Sequence, residues 1–175
     1  MRALFVHHDP NSVDGLLGES FTRCGATIRS HQVCDTPHSP AGRTEFPDPT
    51  DFDAVVVFGS RWSVCDPDCA HWVEPEVAML RAADAAGVAV LGCCFGGQIL
   101  AAALGGTVAP TAHSEIGWME VEPLPLAGDD RRFDGWVTAG PWLQWHGDAF
   151  TVPSGAVELA TSAAGPQAFA LRRNL

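Results

Sequence analysis

Short apolar runs alternate with stretches of helical spacing along the first 106 residues of the chain. Strands are predicted where apolar residues follow one another or alternate with polar ones, and helices where they recur every three or four positions. The predicted strands are RALFVHH (2–8), TIRSHQV (27–33), AVVVFG (54–59) and VAVLG (88–92). The predicted helices are GLLGESFTRCG (15–25), EPEVAMLRAADAAG (74–87), with proline in its first turn, and GGQILAAALGG (96–106). This alternation is typical of an α/β protein with a mainly parallel sheet.

The pattern changes after Gly106, where short strand-like segments are separated by turns rich in glycine, proline and aspartate. These segments cover residues 107–110, 116–123, 142–153, 156–161 and 167–171. They predict a C-terminal region of β-hairpins. Because no internal repeat, low-complexity segment or linker interrupts the chain, the sequence predicts a single domain over residues 1–175.

Charge and composition disfavour several classes of function, among them nucleic-acid binding and zinc binding. The 21 acidic residues outnumber ten arginines, lysine is absent, and the formal net charge of -11 disfavours nucleic-acid binding. No apolar span is long enough to cross a membrane, and the first apolar stretch is too short for a signal peptide, so a cytoplasmic location is expected. In that compartment the six cysteines are expected to be reduced thiols. Their spacing lacks the repeated CxxC of a zinc site, and neither a metal nor a cofactor is expected.

Two adjacent cysteines lie where the last predicted parallel strand meets the helix that follows it. The order Gly92, Cys94, Gly96 matches GxCxG, the layout of a nucleophile elbow, in which a tight turn holds a reactive side chain above a sheet. At the apex, Cys94 would lie at a helix N-terminus, whose N–H groups and dipole lower the pKa of a thiol. Cys93 is expected to point back into the sheet as a small core residue. The alternative is that both cysteines are buried core residues.

The segment GCCFGGQILAAALGG (92–106) resembles the GxCxGxQ elbow of the class I glutamine amidotransferases. FDAVVVFGSRWSV (52–64) looks like the strand and turn of the oxyanion loop in that family, and EIGW (115–118) looks like part of the following hairpin. QWHGDAFTVPSGAVELATS (144–162) looks like the substrate-side region. These segments occur in the family's order along nearly the whole chain. The resemblance implies a flavodoxin-like three-layer α/β/α fold with a C-terminal β-hairpin region.

The resemblance also implies roles in the hydrolysis of glutamine, which needs a thiolate nucleophile, donors for an oxyanion and a base. Cys94 would attack the γ-glutamyl amide of glutamine or of a γ-glutamyl conjugate. The main-chain N–H groups of Phe95 and of Gly59 or its neighbour would form the oxyanion hole. The positions implied to bind substrate are Gln98, one helical turn after the nucleophile, and the main chain at Gly147 and Asp148.

The family's remaining catalytic pair, a histidine and a glutamate in a segment resembling FHPE, is not found in these 175 residues. Three readings stay open: a truncated chain, a catalytically silent binding or regulatory module on the same fold, and an enzyme whose base comes from elsewhere. His146 is the internal candidate for the base, because Asp148 follows it at the spacing that separates His and Glu in HPE. The competing interpretation places HGD only on the ligand side. Glutaminase activity of the 175-residue chain is therefore expected to be weak or absent.

Other ligands and partners follow from the same resemblance. It implies glutamine or a γ-glutamyl small molecule as the ligand and a synthetase or another acceptor enzyme as a partner. A thiol-based hydrolase or redox sensor on a related fold would use Cys94 without glutamine, and Gln98 argues against that reading.

The remaining histidines and tryptophans are interpreted structurally. His7 and His8 end the first predicted strand, at the edge of the sheet where α/β sites lie, but adjacent histidines in a loop are expected to be solvated. The tryptophans are expected to pack in the core and hairpins. Among them, only Trp62, beside the oxyanion turn, is retained as a candidate wall of the pocket.

Overall fold

The computed structural model describes residues 1–125 and 140–171 of the chain. Within these residues the contacts separate two units, Met1–Ala103 and the residues from Leu104 onward. The expectation of a single domain over residues 1–175 is not tested by this division and stays a prediction.

The first unit is built around a sheet of four parallel strands. Its elements in chain order are β1 (Arg2–His7), α1 (Gly15–Arg23), β2 (Thr27–Gln32), β3 (Ala54–Val57), α2 (Ala70–Ala85), β4 (Ala89–Gly92) and α3 (Phe95–Ala103). The strand order is β2-β1-β3-β4, so the carboxyl ends of β1, β3 and β4 meet at one edge. The α/β class and the parallel sheet predicted from the sequence are confirmed.

Helices cover both faces of this sheet, because alternate residues of its central strands are apolar on opposite sides. Phe5 and Val56 pack with Phe21 of α1 on one face. The other face carries the larger core of the unit, where strand residues pack against α2 and α3. The largest fully buried side chains of that core are those of Leu4, Trp72, Leu80, Phe95 and Ile99. Strands buried on both faces explain the continuous apolar runs of the sequence and give the three-layer arrangement.

Helix α2 begins earlier than the sequence pattern predicts. The side chain of Asp66 accepts a hydrogen bond from the N–H of Asp68 and caps a short 3-10 turn, Pro67–Cys69, that leads directly into the helix. Pro75 therefore lies inside α2, where its ring removes one main-chain hydrogen bond, and not in the first turn. Gly25 and Gly87 follow the ends of α1 and α2 with φ angles of 76° and 74°, as expected of residues that end helices.

The second unit is an antiparallel sheet of order β6-β5-β7-β8. Its strands are β5 (Val108–Pro123), β6 (Gly140–Phe150), β7 (Ala156–Ser162) and β8 (Gly165–Leu171). The predicted strands 107–110 and 116–123 are one element, β5, whose register against β6 shifts between Pro110 and Glu115. The sequence pattern splits this strand because the bulged residues interrupt the alternation of apolar and polar positions.

The tryptophan predictions have mixed outcomes. Trp72 is fully buried, as expected, and Trp62 packs partly buried against the same core. Trp118 and Trp145 are 72% and 76% exposed, so the expectation that they pack in hairpins is wrong. They share an outward face of the β5–β6 ladder with Ile116 and Leu143, which are also exposed. Trp136 lies outside the described residues.

None of the helices in residues 1–125 and 140–171 is both long and apolar enough to span a membrane. Within the same ranges, no three His, Cys, Asp or Glu side chains are grouped so that they could hold a metal ion.

Candidate functional site

The turn between β4 and α3 has the geometry of a nucleophile elbow. Cys94 occupies its apex with φ of 54° and is the only non-glycine residue of the described chain with a positive φ. Such a conformation is unfavourable for an L-residue and persists where the surrounding structure enforces it. Here the N–H of Cys93 donates to the carbonyl of Val57 on β3, and the N–H groups of Gly97 and Gln98 donate to the carbonyl of Cys94.

The glycines on either side of Cys94 are required by close main-chain contacts. A Cβ on Gly96 would lie 2.1 Å from the carbonyl oxygen of Val57, and a Cβ on Gly92 would lie 2.3 Å from the carbonyl oxygen of Gly96. Both distances are far shorter than a van der Waals contact. The GxCxG pattern therefore reflects the close approach of strand, turn and helix at this point.

The two adjacent thiols have different environments. Cys94 is exposed, so the alternative in which both cysteines are core residues is wrong. Cys93 is partly buried, and its burial, followed by the proximity of Cys94, raises the pKa of its thiol. Cys93 is thus protected at neutral pH, whereas Cys94 is open to reagents.

We expect iodoacetamide at about pH 7 to label Cys94 well before Cys93, because only the thiolate reacts and the raised pKa keeps Cys93 protonated. Labelling of Cys93 should accelerate only as the pH rises through that raised pKa. Peptide mass spectrometry after timed quenching measures both rates, and the exposed Cys24 and Cys65 serve as internal references. Equal rates at Cys93 and Cys94 would contradict the assignment of Cys94 to the apex.

The structure brings Gly59 and Phe95 to the elbow. A Cβ built on Gly59 would lie 3.6 Å from Cys94 Cβ and 4.0 Å from its Sγ, so the turn after β3 lies directly beside the thiol. Phe95 is the first residue of α3, where a main-chain N–H has no partner within the helix. Both positions therefore fit the oxyanion-hole role that the resemblance implies, which stays a prediction.

Substituting Gly59 tests that role. Gly59→Ala adds a methyl group at ordinary contact distance and should be tolerated, whereas the branched side chain of Gly59→Val should crowd the space above Cys94 Sγ. We expect the valine variant to fold but to lose protection of Cys94 by glutamine against iodoacetamide, and the alanine variant to retain most of it. Equal protection in both variants would place Gly59 outside the ligand site.

Gln98 lies one helical turn after Cys94, as predicted, and its N–H donates to the carbonyl of Cys94 at 3.1 Å. Its side chain is buried, so it is not a helix-surface amide. A buried amide close to the elbow is compatible with the proposed contact to substrate, which stays a prediction.

His146 lies on β6 in the second unit, and its imidazole is engaged at both nitrogens. Nδ1 lies 3.0 Å from the main-chain carbonyl oxygen of Asp148, and Nε2 lies 3.1 Å from Glu115 Oε2. The carboxylate at Nε2 is therefore that of Glu115, whereas the contact of Asp148 with Nδ1 is through its main-chain carbonyl. Both nitrogens are thus engaged by oxygens of the second sheet, which weighs against His146 as the base.

Glu115 is a hydrogen-bond hub that the sequence analysis missed. Besides His146, its Oε2 accepts from Ser162 Oγ at 2.9 Å and from Gln167 Nε2 at 3.5 Å. These residues belong to β5, β6, β7 and β8, so one carboxylate oxygen connects all four strands of the second sheet. Glu115 belongs to the EIGW segment that resembles the family's hairpin. The sequence around it does not indicate that its side chain contacts polar residues of the other three strands.

The part of β6 around Gly147 contacts the irregular part of β5. Thr111 Oγ1 lies 3.2 Å from the carbonyl oxygen of Gly147, and a Cβ on Gly147 would lie 3.2 Å from Ser114 Oγ. With His146 contacting the carbonyl of Asp148, the main chain from 146 to 148 is fixed by contacts within its own sheet. The role of Gly147 and Asp148 in binding substrate stays a prediction.

His7 and His8 are buried, so the expectation that they are solvated is wrong. His7 Nε2 lies 2.9 Å from Asp14 Oδ1. Burial lowers the pKa of His7 and outweighs the Asp14 carboxylate, which raises it. His8 Nε2 lies 2.8 Å from Oε2 of Glu76, which is also fully buried. Two adjacent histidines at the end of a strand point to opposite faces of the sheet, which hides both of them.

An ion pair connects two loops at the carboxyl edge of the parallel sheet. Arg61 follows the turn at Gly59, and its Nε lies 2.7 Å from Asp9 Oδ2 in the loop after β1. A further contact joins Arg61 to the carbonyl oxygen of Pro37 at 3.3 Å. The loop that carries Gly59 is thereby attached to its neighbours.

Comparisons with known proteins agree with this geometry. Residues 16–174 match the family described as "Glutamine amidotransferase class-I". The chain is 38% identical to GMP synthase (glutamine-hydrolyzing) of Rhodopseudomonas palustris over 117 residues, 65% of this chain and 20% of that protein. It is 42% identical to the enzyme of the same name from Mycobacterium marinum over 112 residues, 64% of this chain and 19% of that protein. A crystal structure of a glutamine amido transferase from Methylobacillus flagellatus superposes with a TM-score of 0.81 at 26% identity, covering 97% of this chain and 65% of that one.

Proposed function

This chain belongs to the class I glutamine amidotransferase family, and from that premise we propose that Cys94 is a nucleophile for the γ-glutamyl amide of glutamine or of a γ-glutamyl conjugate. The observation that carries the proposal is the strained, exposed Cys94 at the start of α3, with Gly59 beside its sulfur. No other thiol of the described chain combines an apex conformation with exposure and a neighbouring main-chain turn.

The chemistry follows from these positions. The thiolate of Cys94 forms a bond to the γ-carbonyl carbon, and the oxyanion accepts hydrogen bonds from the N–H groups of Phe95 and Gly59. The C–N bond then breaks, and ammonia, or an amine from a conjugate, leaves after taking a proton. Water hydrolyses the resulting thioester, which releases glutamate and returns the thiol. Gln98 and the main chain at Gly147 and Asp148 are proposed to bind the substrate.

The proton transfers need a general base, and its identity is the part of the proposal that an experiment can test most readily. The segment with the family's histidine and glutamate is not found among the 175 residues, and both nitrogens of His146 already have partners. We therefore propose that a polypeptide of these residues binds glutamine at Cys94 but turns it over slowly.

A partner is proposed from the relatives. The chain spans about a fifth of the length of the two GMP synthases to which it is similar, which are named as hydrolysing glutamine. Ammonia released at Cys94 would therefore pass to a synthetase or another acceptor enzyme, in the cytoplasm.

Ammonia release tests the proposed base. We expect the 175-residue chain to hydrolyse glutamine orders of magnitude more slowly than a version extended by a family-like FHPE segment, because loss of triad members costs that much in rate. The control is the extended version with His146→Ala. It should release ammonia like the extended version, because the histidine of the added segment is then the base. Brisk turnover by the unextended chain that His146→Ala abolishes would show that His146 is the base.

The alternative function is a catalytically silent binding or regulatory module on the same fold. The occupied nitrogens of His146 favour it. Failure of the extended chain to release ammonia, together with glutamine-dependent protection of Cys94 from alkylation, would support the module. Oxidation of Cys94 by peroxide, without any protection by glutamine, would support the interpretation of the chain as a thiol-based redox sensor.

A further inference from the structure

A buried polar pair lies in the core behind the elbow. His8, at the end of β1, and Glu76, in the middle of α2, are both fully buried and meet at 2.8 Å between Nε2 and Oε2. The His8 ring lies against two aromatic rings, with centroid distances of 4.6 Å to Phe95 and 5.4 Å to Trp72. The rings of Trp72 and Phe95 also contact each other, with their centroids 5.9 Å apart. The pair therefore touches the residue that follows Cys94.

Packing alone does not explain this pair. A buried hydrogen-bonded pair, charged or neutral, can often be replaced by apolar side chains of similar volume without loss of stability. Here, within the described residues, His8 Nδ1 and Glu76 Oε1 have no hydrogen-bond partner, which makes the pair more costly still. In some proteins a costly polar group in a core fixes one specific arrangement, and the arrangement next to this pair is the strained elbow.

We propose that His8 and Glu76 form a positioning pair that fixes the ring of Phe95, and through it the N–H of Phe95 and the conformation of Cys94. The hydrogen bond to Glu76 sets the orientation of the His8 ring, and that ring packs against Phe95, which also contacts Trp72. The inference rests on the proposed function for its catalytic consequence. Its structural content, that Glu76 holds the elbow in place, is independent of that function.

Three variants of the full chain separate positioning from stability. Glu76→Leu removes the carboxylate, and Glu76→Gln keeps an oxygen that accepts from His8 Nε2. The control is Arg81→Leu, because Arg81 lies on the same helix α2 but contacts the far end of α3, where its Nε lies 2.9 Å from the carbonyl of Ala103. Thermal unfolding measures the stability of each variant.

Hydrogen exchange of the peptide that covers residues 93–98 reads the elbow directly. We expect Glu76→Leu to accelerate this exchange on the order of 10-fold, with Glu76→Gln and Arg81→Leu close to the parent chain. Covalent labelling of Cys94 by 6-diazo-5-oxo-L-norleucine should slow by a similar factor in Glu76→Leu alone, while labelling by iodoacetamide stays unchanged.

Parent-like exchange of residues 93–98 in Glu76→Leu would overturn the positioning pair, whatever the labelling shows. If the parent chain is not labelled by the glutamine analogue, the proposed function fails and the exchange data still decide the pair. If Glu76→Leu does not fold, the double variant His8→Leu with Glu76→Leu leaves neither partner unpaired and is measured in the same way. Parent-like exchange in that double variant would equally overturn the proposal.

Discussion

Gly96→Ala is expected to destabilise the first unit by on the order of 3 kcal/mol, a large share of the stability of an ordinary domain. The added Cβ would lie 2.1 Å from the carbonyl oxygen of Val57 and 2.7 Å from its carbonyl carbon. Because main-chain atoms of a central strand cannot move aside like a flexible side chain, α3 must separate from β3. Chemical denaturation monitored by tryptophan fluorescence measures the loss, since Trp72 lies in the core that α3 covers.

The neighbouring glycine provides the matched control. A Cβ on Gly97 would lie 3.6 Å from the carbonyl oxygen of Gly92, which is an ordinary contact. Gly97→Ala should therefore leave stability unchanged or raise it by up to about 1 kcal/mol, because alanine favours a helix more than glycine does. Similar stabilities of the two variants would mean that α3 does not approach β3 as closely as described.

The elements that the sequence predicts well are those in which local pattern and tertiary role coincide. The apolar run AVVVFG becomes β3 because it is buried on both faces, and Gly25 and Gly87 end helices because only glycine adopts their φ freely. The elbow is predictable for the same reason, since its glycines are demanded by main-chain contacts that recur wherever this turn occurs.

The features that the sequence does not reveal depend on partners far along the chain. His8 and Glu76 are 68 positions apart, and Glu115 meets His146, Ser162 and Gln167 only after four strands have paired. The spacing in HGD suggests Asp148 as the partner of His146, but adjacent strands bring Glu115 to Nε2 instead. Trp118 and Trp145 read as core residues by type, yet their positions on β5 and β6 face outward.

Replacing Cys94 is expected to have the largest effect on chemistry. Cys94→Ala removes the nucleophile, so ammonia release by the version extended with the FHPE segment should fall by a factor on the order of 10⁴ or more. Stability should change by less than about 0.5 kcal/mol, because the thiol is exposed. Cys93→Ala is the control and should retain most of the activity, since its sulfur is partly buried and its raised pKa keeps it protonated. Greater loss in Cys93→Ala than in Cys94→Ala would reverse the assignment of the two thiols.

The most direct test of the account is mass spectrometry of the chain after reaction with 6-diazo-5-oxo-L-norleucine. Once the diazo carbon of this glutamine analogue has taken a proton, the thiolate displaces dinitrogen from that carbon and forms a stable C–S bond. The modified residue is therefore identified without any need for turnover. We expect one adduct, on Cys94, that is absent in Cys94→Ala and is suppressed by excess glutamine but not by excess asparagine. An unmodified Cys94, or an adduct that forms equally fast with and without glutamine, would contradict the assignment of Cys94 as a glutamine-directed nucleophile.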